Sequence, residues 1–139
     1  MSIPRSAIRE SAFLIIFEKS FRDDALEVIF DDAMNSLDDD KEIVLNEAVK
    51  KLVINVYNNV EEIDGIISKY SDKRSIERIP KINLAILRLA LYEAIYEEKV
   101  PVNVAISEAV ILTKKYAQKA DVSFINGVLG AYSRSLTNE

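Results

Sequence analysis

The chain has 139 residues, 49% hydrophobic and 29% charged, with a net charge of −5. That length suffices for one domain with a buried core, and three glycines and three prolines point to helices with short connections. The lack of cysteine and histidine removes disulfides, thiolate nucleophiles, the commonest general base and the commonest transition-metal ligand.

The charge is unevenly distributed. Residues 1–70 hold 8 basic and 15 acidic side chains, a net of −7, whereas residues 71–139 hold 10 basic and 8 acidic, a net of +2. Ten carboxylates and one lysine crowd into residues 23–47. Two zones are mildly basic: the first 22 residues, with Arg5, Arg9, Lys19 and Arg22, and the later group Lys114, Lys115 and Lys119. Brought together, they would form a local basic patch on an acidic protein. The net charge itself argues against indiscriminate nucleic-acid binding. No secretory signal is visible, since the apolar run Ala12 to Phe17 is short and no cleavage site follows it. No segment has the apolar length of a membrane span, and a cytoplasmic protein is expected.

Pro4 suits the first turn of a helix whose apolar face is Ile8, Ala12, Ile15 and Ile16, with Phe13, Phe17 and Phe21 beside it. Arg5 and Arg9, four apart, stack on one ridge of that helix. Asp23 and Asp24 can cap a second helix through Leu26, Ile29, Phe30, Ala33 and Met34. Leu37 to Glu42 reads as a solvated loop leading into a third helix. That third helix reads as long and continuous, because Val49, Leu52, Val56, Val60, Ile63, Ile67 and Tyr70 step by three or four, with Gly65 near its end. A polar connection, residues 71–75, follows. The segment after Pro80 is the most apolar helix and the expected centre of the fold. Pro101 introduces another helix through Ala105, Ile106, Ala109, Val110 and Leu112, and Asp121 is a good N-cap for the last.

The last helix contains Asn126-Gly127, a strong turn signal. Its flanking residues Phe124, Val128 and Tyr132 have helical spacing, and no alternating pattern accompanies them, so the helix is preferred. Gly127 then costs roughly 1 kcal/mol relative to alanine. Close helix–helix packing is the ordinary justification, and close approach of RNA the other. Asn126, roughly 100° round the helix, is the polar candidate for RNA contact.

Catalysis has little support. Glu61/Glu62 and Asp38/Asp39/Asp40 read first as solvated charge, no nucleophile–base signature is present, and no phosphate-binding glycine loop occurs. RNA binding is the better physical candidate. Arg5 and Arg9 can pair with phosphate, and Tyr70 and Phe124 can stack on unpaired bases. The alternative for each, a solvated face or ordinary packing, remains open.

Four segments occur in order: IRESAFLIIF at 8–17, AILRLALYE at 85–93, VPVNVAISEAVILTKKYA at 100–117 and FINGVLG at 124–130. As a set they resemble the NusB family of transcription antitermination factors. The resemblance implies an all-α fold of six or seven helices in two packed bundles of a single domain, about 1–72 and about 73–139. It implies a protein that is not an enzyme and that needs no cofactor and no metal. It also implies binding to boxA-type RNA of ribosomal RNA leaders together with the small-subunit ribosomal protein NusE. Other Nus factors and RNA polymerase are engaged indirectly, and no membrane is involved. Homodimers occur in some members of the family. The RNA residues expected from motif and charge together are Arg5, Arg9, Tyr70, Lys115, Lys119, Phe124 and Asn126, and the partner residues are Glu77, Arg78 and Asn83. Ser6 and Ala7 stand where the family often has further arginines, and Phe17 where tyrosine is common. Two other expectations compete: a protein–protein scaffold with weakened RNA binding, and an RNA-binding module of the kind fused to ribosomal RNA cytosine methyltransferases. A chain ending at Glu139 is expected to be the free factor.

Overall fold

In the computed structural model, which describes residues 3–36, 44–72 and 74–137, all three prolines stand immediately before a helix. Pro4, Pro80 and Pro101 have ψ of 143, 138 and 148°. Their carbonyls accept the first helical N–H groups, from Ile8, Leu84 and Ala105. Proline fits there because its preset φ leads into the helix and its missing N–H would have had no helical partner.

The helices are α1 (Arg5–Lys19), α2 (Leu26–Ser36), α3 (Glu47–Asn58), α4 (Val60–Tyr70), α5 (Lys81–Tyr96), α6 (Val102–Tyr116) and α7 (Asp121–Thr137), with a 3₁₀ turn at Ile76–Arg78. The described residues contain no strand, as the sequence predicts. The loop expected over Leu37 to Glu42 lies outside the described residues. The chain groups into two compact units, Met1–Asn58 and Asn59–Glu139.

In the first unit α1 packs on α2 and α3. Ala12, Phe13 and Ile16 of α1, Ile29 of α2 and Val49, Val53 and Val56 of α3 are wholly buried. Two polar bonds fix the register: Tyr57 Oη donates to the Ile16 carbonyl at 3.2 Å, and Ser11 Oγ accepts from the Val44 N–H at 2.9 Å. Arg22 joins the end of α1 to α2. Its guanidinium donates to Glu18, Asp24 and Asp32, each at 2.7 Å. Those hydrogen bonds, Asp32's first, raise the Arg22 pKa still further above its ordinary value. Asp24, expected as a cap, is thus committed to Arg22.

The second unit is built around α5, which packs with α4, α6 and α7. Leu84 through Leu87 and Leu89 through Tyr92 are all buried, so α5 is enclosed on every side. The expected long third helix is two helices. Asn59 leaves helical geometry (φ −117°, ψ 15°), and its carbonyl then accepts from Ile63 N–H to start α4. The apolar spacing runs through the break because both helices need inward residues: Val56 on α3, Ile63 and Ile67 on α4, all fully buried. The two compact units divide between Asn58 and Asn59. The physical reason is that α4 packs with α5 and α7.

One ion pair fixes α4 to α5. Arg88 Nε and Nη2 donate to the two carboxylate oxygens of Asp64 at 2.9 and 2.8 Å, in a bidentate pair with side chains 14% and 22% exposed. Removing the guanidinium strands a half-buried carboxylate. Arg88→Ala is expected to destabilise the fold by about 2–3 kcal/mol, between surface and buried pairs. Urea unfolding measures this, and Arg88→Met with Asp64→Leu should recover much of the loss.

Candidate nucleic-acid interface

The end of α4 delivers Tyr70 to the surface and then turns sharply. Ser71 is buried, and Asp72 has φ 57°, the one non-glycine residue with positive φ among those described. A left-handed residue just past a helix end is normally glycine, and aspartate is among the side chains that tolerate it. The Arg74 N–H then donates to the Ser71 carbonyl at 3.0 Å, closing the turn. This reversal carries the Arg74 guanidinium over the Phe124 ring, 4.9 Å from its centroid.

Phe124 is presented by the first turn of α7, and that turn is pinned. Asp121 Oδ2 accepts from the Gln118 N–H at 3.0 Å, and Asp121 Oδ1 accepts from Asn83 Nδ2 at 3.2 Å. The carboxylate expected as a simple cap thus also ties α7 to α5. Further along, the Tyr132 ring meets Tyr70 edge to face at 6.5 Å. Burial, and secondarily Tyr70, pushes the Tyr132 hydroxyl above its ordinary pKa.

Between these segments runs a groove of about 350 Å³ lined by Tyr70, Arg74, Ser123, Phe124, Gly127 and Arg134 among others. A neighbouring depression of about 510 Å³ shares Ser71, Asp72 and Arg74 with it and adds Arg78. Among the described residues, the lining of this surface holds three arginines and one carboxylate, Asp72. An aromatic floor with a cationic rim suits a polyanion that carries planar groups.

The expected residues divide. Tyr70 and Phe124 line the groove together. Lys115 and Lys119 are exposed but do not line it, and Lys115 Nζ lies 5.5 Å from the Tyr116 ring. Asn126 is exposed and also outside the lining. Arg5 is exposed on the first turn of α1, in the first unit. Arg9 corrects the expectation of a solvated ridge, being only 5% exposed. It shares its helix face with Phe13 and Ile16, which are fully buried, while Arg5 stands a turn nearer the helix end. Glu77 and Arg78 are exposed on the 3₁₀ turn, but Asn83 is buried at 2% and holds Asp121. Asn83 is thus held within the fold, where it fixes the first turn of α7 through Asp121.

Sequence reasoning missed Arg74, hidden in a segment that reads as a polar connection, and Arg134. The available signal for Arg134 was spacing: it lies seven residues after Gly127, hence on the same helix face. The packing explanation for Gly127 is also overturned. Gly127 is exposed, and a Cβ built there meets nothing within 4 Å.

A sequence model of the NusB family matches residues 6–134. The chain belongs to that family of all-helical proteins. A transcription antitermination protein NusB from Clostridium botulinum is 40% identical over 90% of this chain and 94% of the relative. One from Pseudothermotoga lettingae is 34% identical over 97% and 94%. Among solved structures, NusB of T. maritima superposes with a TM-score of 0.81 at 30% identity, covering 96% of this chain and 93% of that one. NusB from a complex of the antitermination factors NusB and NusE with double-stranded RNA superposes with a TM-score of 0.76 at 30% identity, covering 94% and 96%.

The left-handed backbone at Asp72 makes a local prediction. Asp72→Gly should stabilise the second unit by about 0.5–1 kcal/mol, the relief of that conformation less glycine's added unfolded-state entropy. Urea midpoints of the two proteins check it.

Proposed function

We propose that this chain is an RNA-binding antitermination factor whose RNA site is the groove between the α4–α5 connection and α7. The observation that carries the reading is the Arg74 guanidinium 4.9 Å from the Phe124 ring, in a groove that also holds Tyr70 and Arg134. Support comes from the similar NusB that was solved with NusE and double-stranded RNA. The RNA is of boxA type, in ribosomal RNA leaders, and is bound jointly with ribosomal protein NusE. The protein acts in the cytoplasm and is not an enzyme. It reaches other Nus factors and RNA polymerase indirectly.

In this reading Tyr70 and Phe124 supply stacking surface, while Arg74 and Arg134 neutralise phosphates. Lys115, Lys119 and Asn126 extend the contact, and Arg5 gives the first unit its own contact to RNA. Arg9 contributes as a structural residue of α1. Glu77 and Arg78 face NusE, and Asn83 supports that face from beneath. The carboxylates crowded into residues 23–47 would attract a basic ribosomal protein at long range, accelerating the encounter more than deepening the affinity. The enclosure of Arg9 favours one second reading, a protein scaffold with little RNA affinity of its own.

Titration of labelled boxA-type RNA, with and without NusE, separates the two. Weak binding alone that tightens with NusE supports the adaptor, and absence of binding in both conditions at low salt supports the scaffold. Arg74→Ala and Arg134→Ala should each flatten the dependence of log affinity on log salt by about one phosphate's worth, roughly 0.7 for single-stranded RNA. Glu77→Lys should weaken NusE binding and leave RNA binding alone.

A further inference from the structure

Two of the three glycines lie in helices with open space around them. Gly65 in α4 and Gly127 in α7 are exposed, and an added Cβ meets nothing within 4 Å at either. Neither has positive φ, so neither is required by backbone geometry. Glycine within a helix is unfavourable relative to alanine, and the fold offers no compensation at either position. The two differ in their surroundings. Gly127 lines the groove with Phe124, Arg74 and Arg134, and Gly65 does not.

Side chains on a helix lean toward its N-terminus, so a residue covers the turn before its own Cα. A side chain at position 127 would therefore lean over Ser123 and Phe124. Alanine is too short to reach the ring, since its Cβ finds no atom within 4 Å. A longer side chain would cover it. We propose that Gly127 determines access to the Phe124 ring, keeping it open to an unpaired nucleobase of the bound RNA. The inference rests on the RNA reading of this groove and adds the residue that decides what can stack there.

The chemistry favours a nucleobase over a protein side chain. The groove rim carries Arg74 and Arg134. Such a rim repels a basic ribosomal protein and suits a phosphate chain whose bases can enter edge-on. Arg74's planar guanidinium can exchange the ring for a phosphate or lie against the base as it arrives. The third glycine, Gly130, is consistent with this arrangement: a Cβ there would lie 3.2 Å from Arg134 Nη1, so its absence leaves the guanidinium room to fold back along α7.

The test uses the full chain with a labelled single-stranded boxA-type RNA, in the presence of NusE. The variants are Gly127→Ala, Gly127→Leu, the control pair Gly65→Ala and Gly65→Leu, and Phe124→Ala. Both alanine variants should raise the melting temperature, because each replaces a helical glycine in open space. Gly127→Ala should weaken RNA binding by no more than about threefold and Gly127→Leu by about tenfold, the order of one lost base stack. Both Gly65 variants should bind as wild type. If Phe124→Ala loses affinity while Gly127→Leu binds normally, the access role is wrong and the RNA groove stands. If neither loses affinity, the RNA reading of the groove fails and the access role fails with it. If Gly127→Leu instead weakens NusE binding without RNA present, the groove receives protein and the inference is overturned.

Discussion

A helix that is apolar round nearly its whole circumference cannot rest on a surface; it must be enclosed. Helix α5 imposes that constraint on the second unit. Its buried residues run from Asn83 to Glu93 apart from the half-buried Arg88, and α4, α6 and α7 supply the enclosure. The candidate site follows from it. Because α4 and α7 both lie on α5 and on each other, the end of α4 is brought beside α7. Tyr70 is then placed beside Tyr132, and the turn after Tyr70 sets Arg74 above Phe124. The polar groups buried on or beside α5 serve the same end: Asn83 ties down α7 through Asp121, and Arg88 ties down α4 through Asp64. Their hydrogen bonds to specific partners select one arrangement among the many that a purely apolar helix would accept.

Charge is partitioned to match. On the proposed reading, an acidic chain that binds RNA through one groove gains from placing arginines there. General attraction to nucleic acid stays low, while a short arginine-rich surface concentrates potential where stacking groups are also available. The arginines other than the exposed Arg5 are used in three distinct ways. Arg22 and Arg88 are spent on carboxylates, Arg9 is enclosed within the fold, and Arg74, Arg78 and Arg134 face the groove and its neighbouring depression. A count of basic residues could not have separated these roles, because the difference lies in where the fold places each one.

The all-α class, most helix positions and the central place of α5 were legible in the sequence, since apolar spacing and proline placement report directly on which faces are buried. The break at Asn59 was not. Periodicity continues across it because both helices need inward residues at compatible positions. The family resemblance located Tyr70 and Phe124, which do meet in one groove. The burial of Arg9 was not legible because α1's buried arc is wider than its apolar residues alone suggest, taking in Arg9 and Ser11. Arg74 was invisible because its position depends on the left-handed turn at Asp72, and no hydrophobic pattern marks such a turn. Gly127 was assigned to packing on the ordinary meaning of a helical glycine, and only the empty space beside it removes that reason.

The central claim is that RNA occupies the groove between the α4–α5 connection and α7. Its most direct measurement is a ¹H–¹⁵N NMR titration of the full chain with boxA-type RNA. The account predicts that the largest shifts fall on backbone amides of residues 70–78 and 123–134, with smaller changes at Lys115 and Lys119. Shifts confined to α1 or α6, with residues 70–78 and 123–134 unmoved at saturation, would contradict it.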